Sequence, residues 1–475
     1  MSQEPIRFHL LCHRHTVAEL EDLASVLPKS ARLILCYTKS MPTEYSEFAN
    51  RIDCGGSLDV SKFDREPYII DDPELLRSSF QAIFTDPSTT LIWERSTTSV
   101  LKNIGNRILG RLPSFTKGSA WIAEQVVISI RALKALQPSF LLFSSTPHTI
   151  GVWVRMKVAQ QMDIPVLVID RCAVDGFYRI SDQRNQTDRD IEIGPLNEEN
   201  RKVHADRLNE MICKIHQSYL EAQPEYERLR FAQNRGKYIS QINLWKQNWY
   251  APTRAINAIL CWRRLSALSK KYSHVQENKY AVFFLHYQPE RTTAPDGGLF
   301  GPQLNAVLIL RSALPDDVTL LVKEHPSTFT FRCDPLAREP DFYSRIASDP
   351  NIELVDIGTD NFDLIDSAVV TATITGTVAR ESLIRGTPAI FFGKAFLGDS
   401  EGCFKYRKNS DLQEFIRRII SGELDRKLVQ ERAIDAMVAE RDNAFYSAGP
   451  NNDSTKIDAL KRLFSSPYIK QETWK

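Results

Sequence analysis

The chain has 475 residues, of which 43% are hydrophobic and 25% are charged, and 60 Lys and Arg against 59 Asp and Glu give a formal net charge of +1. This composition excludes an intrinsically disordered chain, and only 20 Gly and 24 Pro exclude a collagen-like one. A chain this close to neutrality has no overall field that would attract nucleic acid, so we expect no nucleic-acid partner. Its length predicts about two or three domains.

The cysteine spacing and the hydrophobic runs predict a reduced, cytoplasmic protein. The eight cysteines lie at residues 12, 36, 54, 172, 213, 261, 333 and 403. Since no two of them have the spacing of a zinc knuckle, we predict no metal site. The first residues do not resemble a secretory signal, and no run approaches the ~18 apolar residues of a membrane-spanning helix. We expect at most a peripheral contact with the inner membrane.

Strand and helix patterns alternate along residues 1–195. Apolar runs predict strands at residues 6–11, 31–37, 140–143 and 166–169, and weaker candidates at 68–70 and 91–93. Helical patterns occur at residues 16–27, 120–136 and 150–162. Because the strand–helix–strand unit from 140 to 169 is typical of parallel sheets, we predict an N-terminal α/β lobe.

Strand patterns stop between residues 196 and 275, where polar helical sequence is predicted at 198–219, 226–250 and 253–272. Basic residues from Arg228 to Lys271 alternate there with aromatic ones, namely Trp245, Trp249, Tyr250 and Trp262. Two interpretations stay open for this helical linker. The basic residues form solvated faces, or they form a surface for anionic lipid head groups or an anionic polymer.

Residues 276–400 have the clearest pattern. Strands are predicted at residues 280–285, 318–322, 352–355, 369–373 and 389–392, with helices at 300–313, 342–347, 363–367 and 377–385 between them. Only helices are predicted within 401–475, at 412–420, 426–445 and 455–464. The fold class is therefore α/β, with two Rossmann-like lobes facing a cleft, a helical linker and C-terminal helices.

Ligands of open parallel sheets bind beyond the carboxyl ends of the strands, so the loops there hold the candidate site. The first strand of the second lobe is followed by a polar loop that contains Gln288, Glu290 and Asp296 and that leads into a helix carrying Gln303. The second is followed by Lys323–Pro326, and the strand at 369–373 by Ile374–Thr377.

The segment Thr375–Thr377 opens a helix. A small-residue turn there presents free backbone N–H groups and the positive end of the helix dipole, and threonine hydroxyls add donors, so the turn predicts a phosphate site. Glu381, one turn further along, would then accept hydrogen bonds from a ribose. The alternative is that a threonine merely caps the helix and that Glu381 is exposed.

His325 ends a strand, where an imidazolium would donate to the leaving phosphate of a nucleotide-sugar. The alternative is a polar residue satisfied by its own neighbours. In the first lobe, His148 and Asp170 follow strands and are candidates for the base that deprotonates an acceptor hydroxyl. The alternative for His148 is a capping residue of the helix that follows it.

The segments His286–Glu290, Lys323–Pro326 and Thr375–Glu381, with Gly386–Pro388 after them, resemble the bacterial capsule polysaccharide biosynthesis proteins. These are GT-B-type glycosyltransferases related to the Kdo transferases of capsule assembly. The His-Pro and Thr-Gly-Thr elements also resemble those of bacterial sialyltransferases, which use CMP-sugars. The resemblance covers about residues 280–395.

The resemblance implies roles for individual residues. His325 would contact the nucleotide phosphate, Thr375–Thr377 would bind phosphate, and Glu381 would hold the ribose. The complete predicted site has three groups: the catalytic candidates His325, Glu290 and His148; the nucleotide-binding candidates Lys323, Pro326, Thr375, Gly376, Thr377 and Glu381; and the cleft candidates Gln288, Asp296, Gln303 and Asp170. The acidic base motif of the sialyltransferases has no clear counterpart, so the base stays open.

The predicted function is metal-independent glycosyl transfer without a cofactor. The enzyme would move a sugar from a nucleotide-sugar, with a CMP-sugar favoured, to a surface polysaccharide or a lipid-linked glycan. One alternative is a UDP-sugar transferase or epimerase of the same fold. Another is a non-catalytic polysaccharide assembly protein.

Overall fold

The computed structural model describes residues 6–11, 31–37, 57–59, 72–93, 115–138, 140–143, 145–183, 189–191, 196–217, 252–270, 279–288, 290–329, 338–339, 341–397, 400–442, 444–446 and 462–463. Only the backbone is described at 6–11, 31–37, 57–59, 115–117, 189–190, 252–255 and 258. The chain divides into two compact units. Unit 1 falls within residues 1–89, 113–207 and 439–475, and unit 2 within 90–112 and 208–438.

The described strands are β1 (Ile6–Leu11), β2 (Ala31–Tyr37), β3 (Ser57–Asp59), β4 (Phe140–Phe143), β5 (Val166–Arg171), β6 (Phe177–Asp182), β7 (Arg189–Asp190), β8 (Tyr280–Phe284), β9 (Thr319–Lys323), β10 (Ile352–Val355), β11 (Val370–Thr373), β12 (Ala389–Phe391), β13 (Cys403–Lys405) and β14 (Phe445–Tyr446). The described helices are α1 (Pro73–Phe84), α2 (Phe115–Leu136), α3 (Ile150–Gln161), α4 (Glu198–Gln217), α5 (Pro252–Leu268), α6 (Leu304–Ala313), α7 (Phe342–Ile346), α8 (Asn361–Ser367), α9 (Val378–Ile384), α10 (Asn409–Ile420) and α11 (Arg426–Glu440).

Helix ends follow local capping rules. Asp72 accepts a hydrogen bond from Leu75 N at 2.9 Å, and Pro73 occupies the first turn of α1. Gly386, just beyond α9, has a φ of +83°, and a Cβ there would lie 2.6 Å from the carbonyl oxygen of Arg426. Only glycine fits both conditions, so Gly386 ends this helix.

The sheet of unit 1 has the order β14-β6-β5-β4-β1-β2-β3, with β7 also paired to β6. Strands β1 to β5 are parallel, whereas β6, β7 and β14 pair antiparallel. The predicted strands at 6–11, 31–37, 140–143 and 166–169 are confirmed. Their chain order reverses between β1 and β4, which is a topological switch point.

The sheet of unit 2 has the order β10-β9-β8-β11-β12-β13, and all of its strands are parallel. Counted within the unit, this order is 3-2-1-4-5-6, the doubly wound Rossmann arrangement with its switch point between β8 and β11. All five predicted strands of this lobe are present. The prediction of an α/β protein with two Rossmann-like sheets is confirmed.

Several element predictions are wrong, each for a local reason. Residues 91–93 are helical rather than a strand. The helix expected from residue 300 begins at Leu304, because Gln303 has a φ of +35° and breaks the helical path. Strands β13 and β14 follow residue 392, where only helices were expected. Strands of two or three residues have no periodicity of their own and form because a neighbouring strand supplies the hydrogen bonds.

The two units divide the chain differently from the predicted segments 1–195, 196–275, 276–400 and 401–475. The division passes through α4, after residue 207, and α10 belongs to unit 2. The chain then returns to unit 1, where β14 pairs with β6. The predicted helices at 16–27 and 226–250 and the weak strand at 68–70 lie outside the described residues.

The helix α5 bears on the predicted membrane contact. Its Trp262 packs edge-on against Phe329, with ring centroids 5.2 Å apart, so this tryptophan belongs to the packing of unit 2. Arg263 and Arg264 are exposed. Trp245, Trp249, Tyr250 and Lys271 lie outside the described residues. Within the described part of the chain, no helix has both the length and the apolar character needed to cross a bilayer. Peripheral membrane contact stays a prediction.

His204 of α4 is a buried histidine in unit 1. Its ring meets the Phe177 ring edge-on at 4.6 Å, and its Nε2 has no hydrogen-bond partner among the residues that the structure describes. Burial, together with repulsion from Arg441, lowers the pKa of His204 to about 4. The folded unit therefore holds this imidazole in its neutral form.

This burial predicts a pH dependence of stability. Below about pH 6.5 the unfolded chain binds a proton at His204 that the folded chain does not, so the free energy of unfolding falls between about pH 6.5 and pH 4. The shift sets an upper limit of about 3 kcal/mol, at roughly 1.4 kcal/mol per pKa unit. Urea unfolding of His204→Phe at pH 7, 6 and 5 should show a shallower pH slope than the wild type. The exposed His216→Phe serves as the control, and an unchanged slope in His204→Phe would contradict the prediction.

Candidate functional site

The candidate site lies at the carboxyl ends of the central strands of unit 2. His286 follows β8, His325 follows β9, and Thr375 follows β11. Because the sheet order is β9-β8-β11, the three loops are neighbours on both sides of the switch point. The sequence therefore predicted correctly that these segments meet at one edge of one sheet.

His286 is buried, and its surroundings fix its ring. Gln303 Oε1 accepts from His286 N at 2.7 Å, and Gln303 Nε2 donates to the carbonyl oxygen of His286 at 3.0 Å. The ring Nε2 accepts from Thr375 N at 3.2 Å. A backbone N–H only donates, so the neutral ring carries its proton on Nδ1, and Glu290 Oε2 lies 3.7 Å from that nitrogen.

Glu290 is an ionised carboxylate. Burial raises its pKa, but hydrogen bonding and electrostatic attraction to His286, followed by the hydrogen bond from Thr292 and a weaker attraction to His325, outweigh burial and lower the pKa to about 2. A group with that pKa is a weak proton acceptor near neutrality. The place of Glu290 among the catalytic candidates stays a prediction.

His325 adopts the opposite tautomer to His286. Ser327 N donates to His325 Nδ1 at 3.0 Å, so the neutral ring carries its proton on Nε2. The ring packs against Tyr287, with centroids 5.1 Å apart. Burial lowers the pKa of His325; although Glu290 raises it, the result is about 4. A ring with that pKa is neutral at neutral pH and is a hydrogen-bond donor without a full charge, which differs from the expected imidazolium; the contact with phosphate stays a prediction.

Glu324 is a buried carboxylate beside the candidate site that the sequence prediction did not single out. It is fully buried, and its two carboxylate oxygens accept from five donors, which come from four residues. His325 N and Thr328 Oγ1 donate to Oε1 at 2.7 and 2.8 Å. Arg338 Nη2 donates to Oε1 at 3.0 Å and Nε to Oε2 at 2.8 Å. Tyr343 donates to Oε2 at 2.6 Å. The sequence offered one signal for this residue: a charged glutamate directly after a predicted apolar strand, within Lys-Glu-His-Pro.

The other two residues of this segment have different surroundings. Lys323 is the last residue of β9 and is only 2% exposed. Pro326 begins a short 3-10 turn, Pro326–Phe329, that ends the strand direction. Their predicted contact with a nucleotide stays a prediction.

In the Thr375–Thr377 turn, one threonine hydroxyl is already hydrogen-bonded within the protein and the other threonine is exposed. Thr375 is buried and its hydroxyl donates to the carbonyl oxygen of Thr292 at 2.8 Å, so that proton is not offered to a phosphate. A Cβ on Gly376 would lie 2.8 Å from Thr373 Oγ1, which requires glycine. Thr377 is exposed and its side chain makes no capping hydrogen bond, so it is the threonine with a hydroxyl toward solvent.

Glu381 lies on α9, one turn beyond this segment, and its N donates to the carbonyl oxygen of Thr377 at 3.1 Å. Its side chain is 7% exposed, so the alternative of an exposed helix residue is wrong. The ribose contact stays a prediction.

Three predicted cleft residues are engaged within their own loop. Gln303 is fully buried on the His286 backbone, and Gln288 Nε2 donates to the carbonyl oxygen of Gly301. The Asp296 side chain lies 3.5 Å from Arg291 Nε. These contacts shape the loop after β8, and the place of the three residues in a ligand cleft stays a prediction.

His148 and Asp170 belong to unit 1, whereas the remaining predicted site residues belong to unit 2. His148 Nδ1 donates to the carbonyl oxygen of Thr146 at 3.1 Å, which leaves the lone pair of the neutral ring on Nε2. Thr149, not His148, is the N-cap residue of α3. Asp170 lies inside β5 rather than after it, and it accepts from Ser181 Oγ at 3.0 Å.

Metal ligands were considered across the described ranges. None of the His, Cys, Asp and Glu side chains described there form a group of three or more placed to hold a metal ion. The sequence does contain one Asp-X-Asp segment, Asp188–Asp190. Asp188 lies outside the described residues, and only the backbone of Asp190, in β7, is described.

No protein-family model and no curated protein matches the sequence. Among solved structures, a UDP-GlcNAc 2-epimerase from Neisseria meningitidis bound to UDP-GlcNAc is 10% identical, with a TM-score of 0.24 over 97% of this chain and 100% of that one. KpsC, a β-Kdo 2,7 transferase from Thermosulfurimonas dismutans, is 11% identical, with a TM-score of 0.28 over 71% of this chain and 89% of that one. The glycotransferase of kitacinnamycin is 11% identical, with a TM-score of 0.22 over 98% of this chain and 99% of that one. Similarities this low do not decide an activity.

Proposed function

We propose that this protein is a glycosyltransferase whose nucleotide-sugar donor binds at the carboxyl edge of the unit 2 sheet. The observation that carries the proposal is the meeting of His286, Glu290 and His325 at the switch point between β8 and β11. Nucleotide ligands of doubly wound sheets bind at this position. The exposed Thr377 and the buried Glu381 follow the neighbouring strand, where the sequence resemblance puts the phosphate and the ribose.

His325 has the main chemical role in this proposal. When the bond between the anomeric carbon and the phosphate oxygen breaks, its electron pair passes to the phosphate. The Nε2–H of His325 donates to that oxygen, and a donor placed where charge develops lowers the barrier. The acceptor hydroxyl oxygen forms the new bond to the anomeric carbon, and its proton passes to a base. His148 and Asp170 stay candidates for that base.

The donor and acceptor are proposed from the sequence resemblance. A CMP-sugar is the favoured donor, and the acceptor is a surface polysaccharide or a lipid-linked glycan. The structural test is titration of the whole protein with CMP and with UDP by calorimetry, followed by an assay of nucleotide-sugar hydrolysis without acceptor. We expect CMP to bind in the calorimeter. In the hydrolysis assay we expect the protein to release the sugar slowly from a CMP-sugar.

Each other outcome changes the proposal in a defined way. Binding of UDP alone replaces the CMP-sugar with a UDP-sugar, for transfer or for epimerisation. Nucleotide binding without any turnover indicates the non-catalytic assembly protein. Failure to bind either nucleotide would overturn the proposed site.

A variant of Glu381 tests the ribose contact. A ribose is held equally in the ground state and the transition state, so Glu381→Gln should raise KM about tenfold or more and leave kcat within about twofold. Steady-state kinetics with the donor that the calorimetry identifies provides the measurement. Glu401→Gln, which alters an exposed carboxylate bound to Arg418, is the matched control. An unchanged KM with a collapsed kcat would assign Glu381 to the chemical step instead.

A further inference from the structure

Arg338 connects the two histidine-bearing loops of the candidate site. Its Nε and Nη2 donate to the two oxygens of Glu324, and the same Nη2 donates to the carbonyl oxygen of His286 at 2.6 Å. Glu324 in turn accepts from His325 N at 2.7 Å. One buried guanidinium therefore ties the end of β8 to the end of β9.

The contacts of Glu324 extend this connection through the whole turn. Its carboxylate also accepts from Thr328 Oγ1 and from Tyr343. The Glu324 carboxylate thus holds the turn from residue 324 to 328 by hydrogen bonds. Arg338 balances the negative charge of that carboxylate. A buried carboxylate keeps its charge only when it is paired and fully hydrogen-bonded.

The geometry of this turn also sets the tautomer of His325. Ser327 N reaches Nδ1 only because the turn brings residue 327 back toward the ring, at 3.0 Å. That contact keeps the proton on Nε2. On the other side, the carbonyl that Arg338 holds belongs to His286, whose ring accepts from Thr375 N. In their neutral forms the two rings are therefore opposite tautomers: His325 carries its proton on Nε2 and His286 carries its proton on Nδ1.

We propose that Arg338 is a positioning residue that fixes His286 and His325 relative to one another, so that the Nε2–H of His325 points where the leaving phosphate forms. The inference rests on the proposed function for its kinetic consequence, though not for its structural one. A misplacement of about 1 Å in such a donor lowers the rate up to about 100-fold. Arg338 acts through the histidines and needs no contact with the substrate.

The test uses Arg338→Lys in the full chain. Lysine keeps a positive charge beside Glu324, but a single ammonium cannot reproduce the planar fork to the carboxylate together with the bond to the His286 carbonyl. We expect the variant to fold, to bind CMP or UDP within about threefold of the wild type, and to turn over about 10- to 100-fold more slowly.

A spectroscopic measurement separates positioning from general loss of stability. Nitrogen-15 NMR of labelled histidines should show His325 as the Nε2–H tautomer in the wild type. In Arg338→Lys we expect a mixture of tautomers and a pKa that moves from about 4 toward the ordinary value. The NMR result does not depend on which nucleotide binds, so it decides the positioning role even if the proposed function fails.

The control is Arg311→Lys, a second buried arginine of unit 2. Its guanidinium donates to the carbonyl oxygens of Leu314, Pro315 and Val318 at the end of α6, away from both histidine loops. Arg311→Lys should lower stability without changing the His325 spectrum. If Arg338→Lys folds and leaves the His325 tautomer and pKa as in the wild type, or if both variants change them equally, the proposal is overturned.

Discussion

Replacing His325 by alanine should lower the turnover of the nucleotide-sugar about 100-fold or more, while the dissociation constant of the nucleotide changes little. The reason is that the hydrogen bond from His325 stabilises the transition state more than the bound donor. A hydrogen bond to the leaving phosphate strengthens as the glycosidic bond breaks and negative charge gathers on the oxygen, so its loss falls on the transition state. Removal of one such donor typically reduces the rate by about two to three orders of magnitude.

The measurement is kcat and KM for the donor, with calorimetry of the nucleotide on the same preparation. His216→Ala serves as the control, because His216 is an exposed histidine of unit 2 that contacts Gln430. His325→Asn adds a second test, since an amide keeps a neutral donor and should recover part of the rate. Full turnover in His325→Ala would remove this residue from the mechanism.

Of the substitutions considered for their effect on the free energy of unfolding, breaking the buried pair of Glu324 and Arg338 should have the largest effect. Both side chains are almost fully buried, at 0% and 3% exposed, and they meet at 2.8 Å. Glu324 pulls the pKa of Arg338 well above its usual value, and Arg338, opposing burial, keeps the pKa of Glu324 low. Arg338→Met leaves a buried carboxylate without its charge partner, which typically destabilises a protein by about 3–5 kcal/mol.

The double variant Glu324→Leu with Arg338→Met separates two effects on the free energy of unfolding: the cost of leaving one buried charge unpaired, and the net contribution of the ion pair. Because the double variant leaves no buried charge, it should regain much of the stability lost in Arg338→Met. Lys214→Met, which breaks the exposed pair with Glu210, should show almost no change. Urea unfolding followed by circular dichroism provides the measurement. A double variant less stable than Arg338→Met would show that the pair stabilises the fold beyond charge balance.

The local sequence determined much of unit 2. Strands β8 to β12 are apolar runs separated by helical patterns, and their spacing alone predicts a doubly wound parallel sheet. The loops after β8, β9 and β11 followed from the same reasoning, because carboxyl ends of parallel strands share one edge. The meeting of His286, His325 and Thr375 was thus predictable from strand positions.

Tertiary structure decided the state of those side chains. The neutral ring of His325 depends on its burial, and its tautomer depends on the hydrogen bond from Ser327 N. The hydroxyl of Thr375 donates to a carbonyl oxygen at residue 292, far away along the chain. Arg338 lies 14 residues from Glu324, and no local pattern connects the two. The strands β13 and β14 also depend on a neighbouring strand. A sequence pattern reports local periodicity, whereas ionisation, tautomers and short strand pairings depend on partners that only the folded chain brings together.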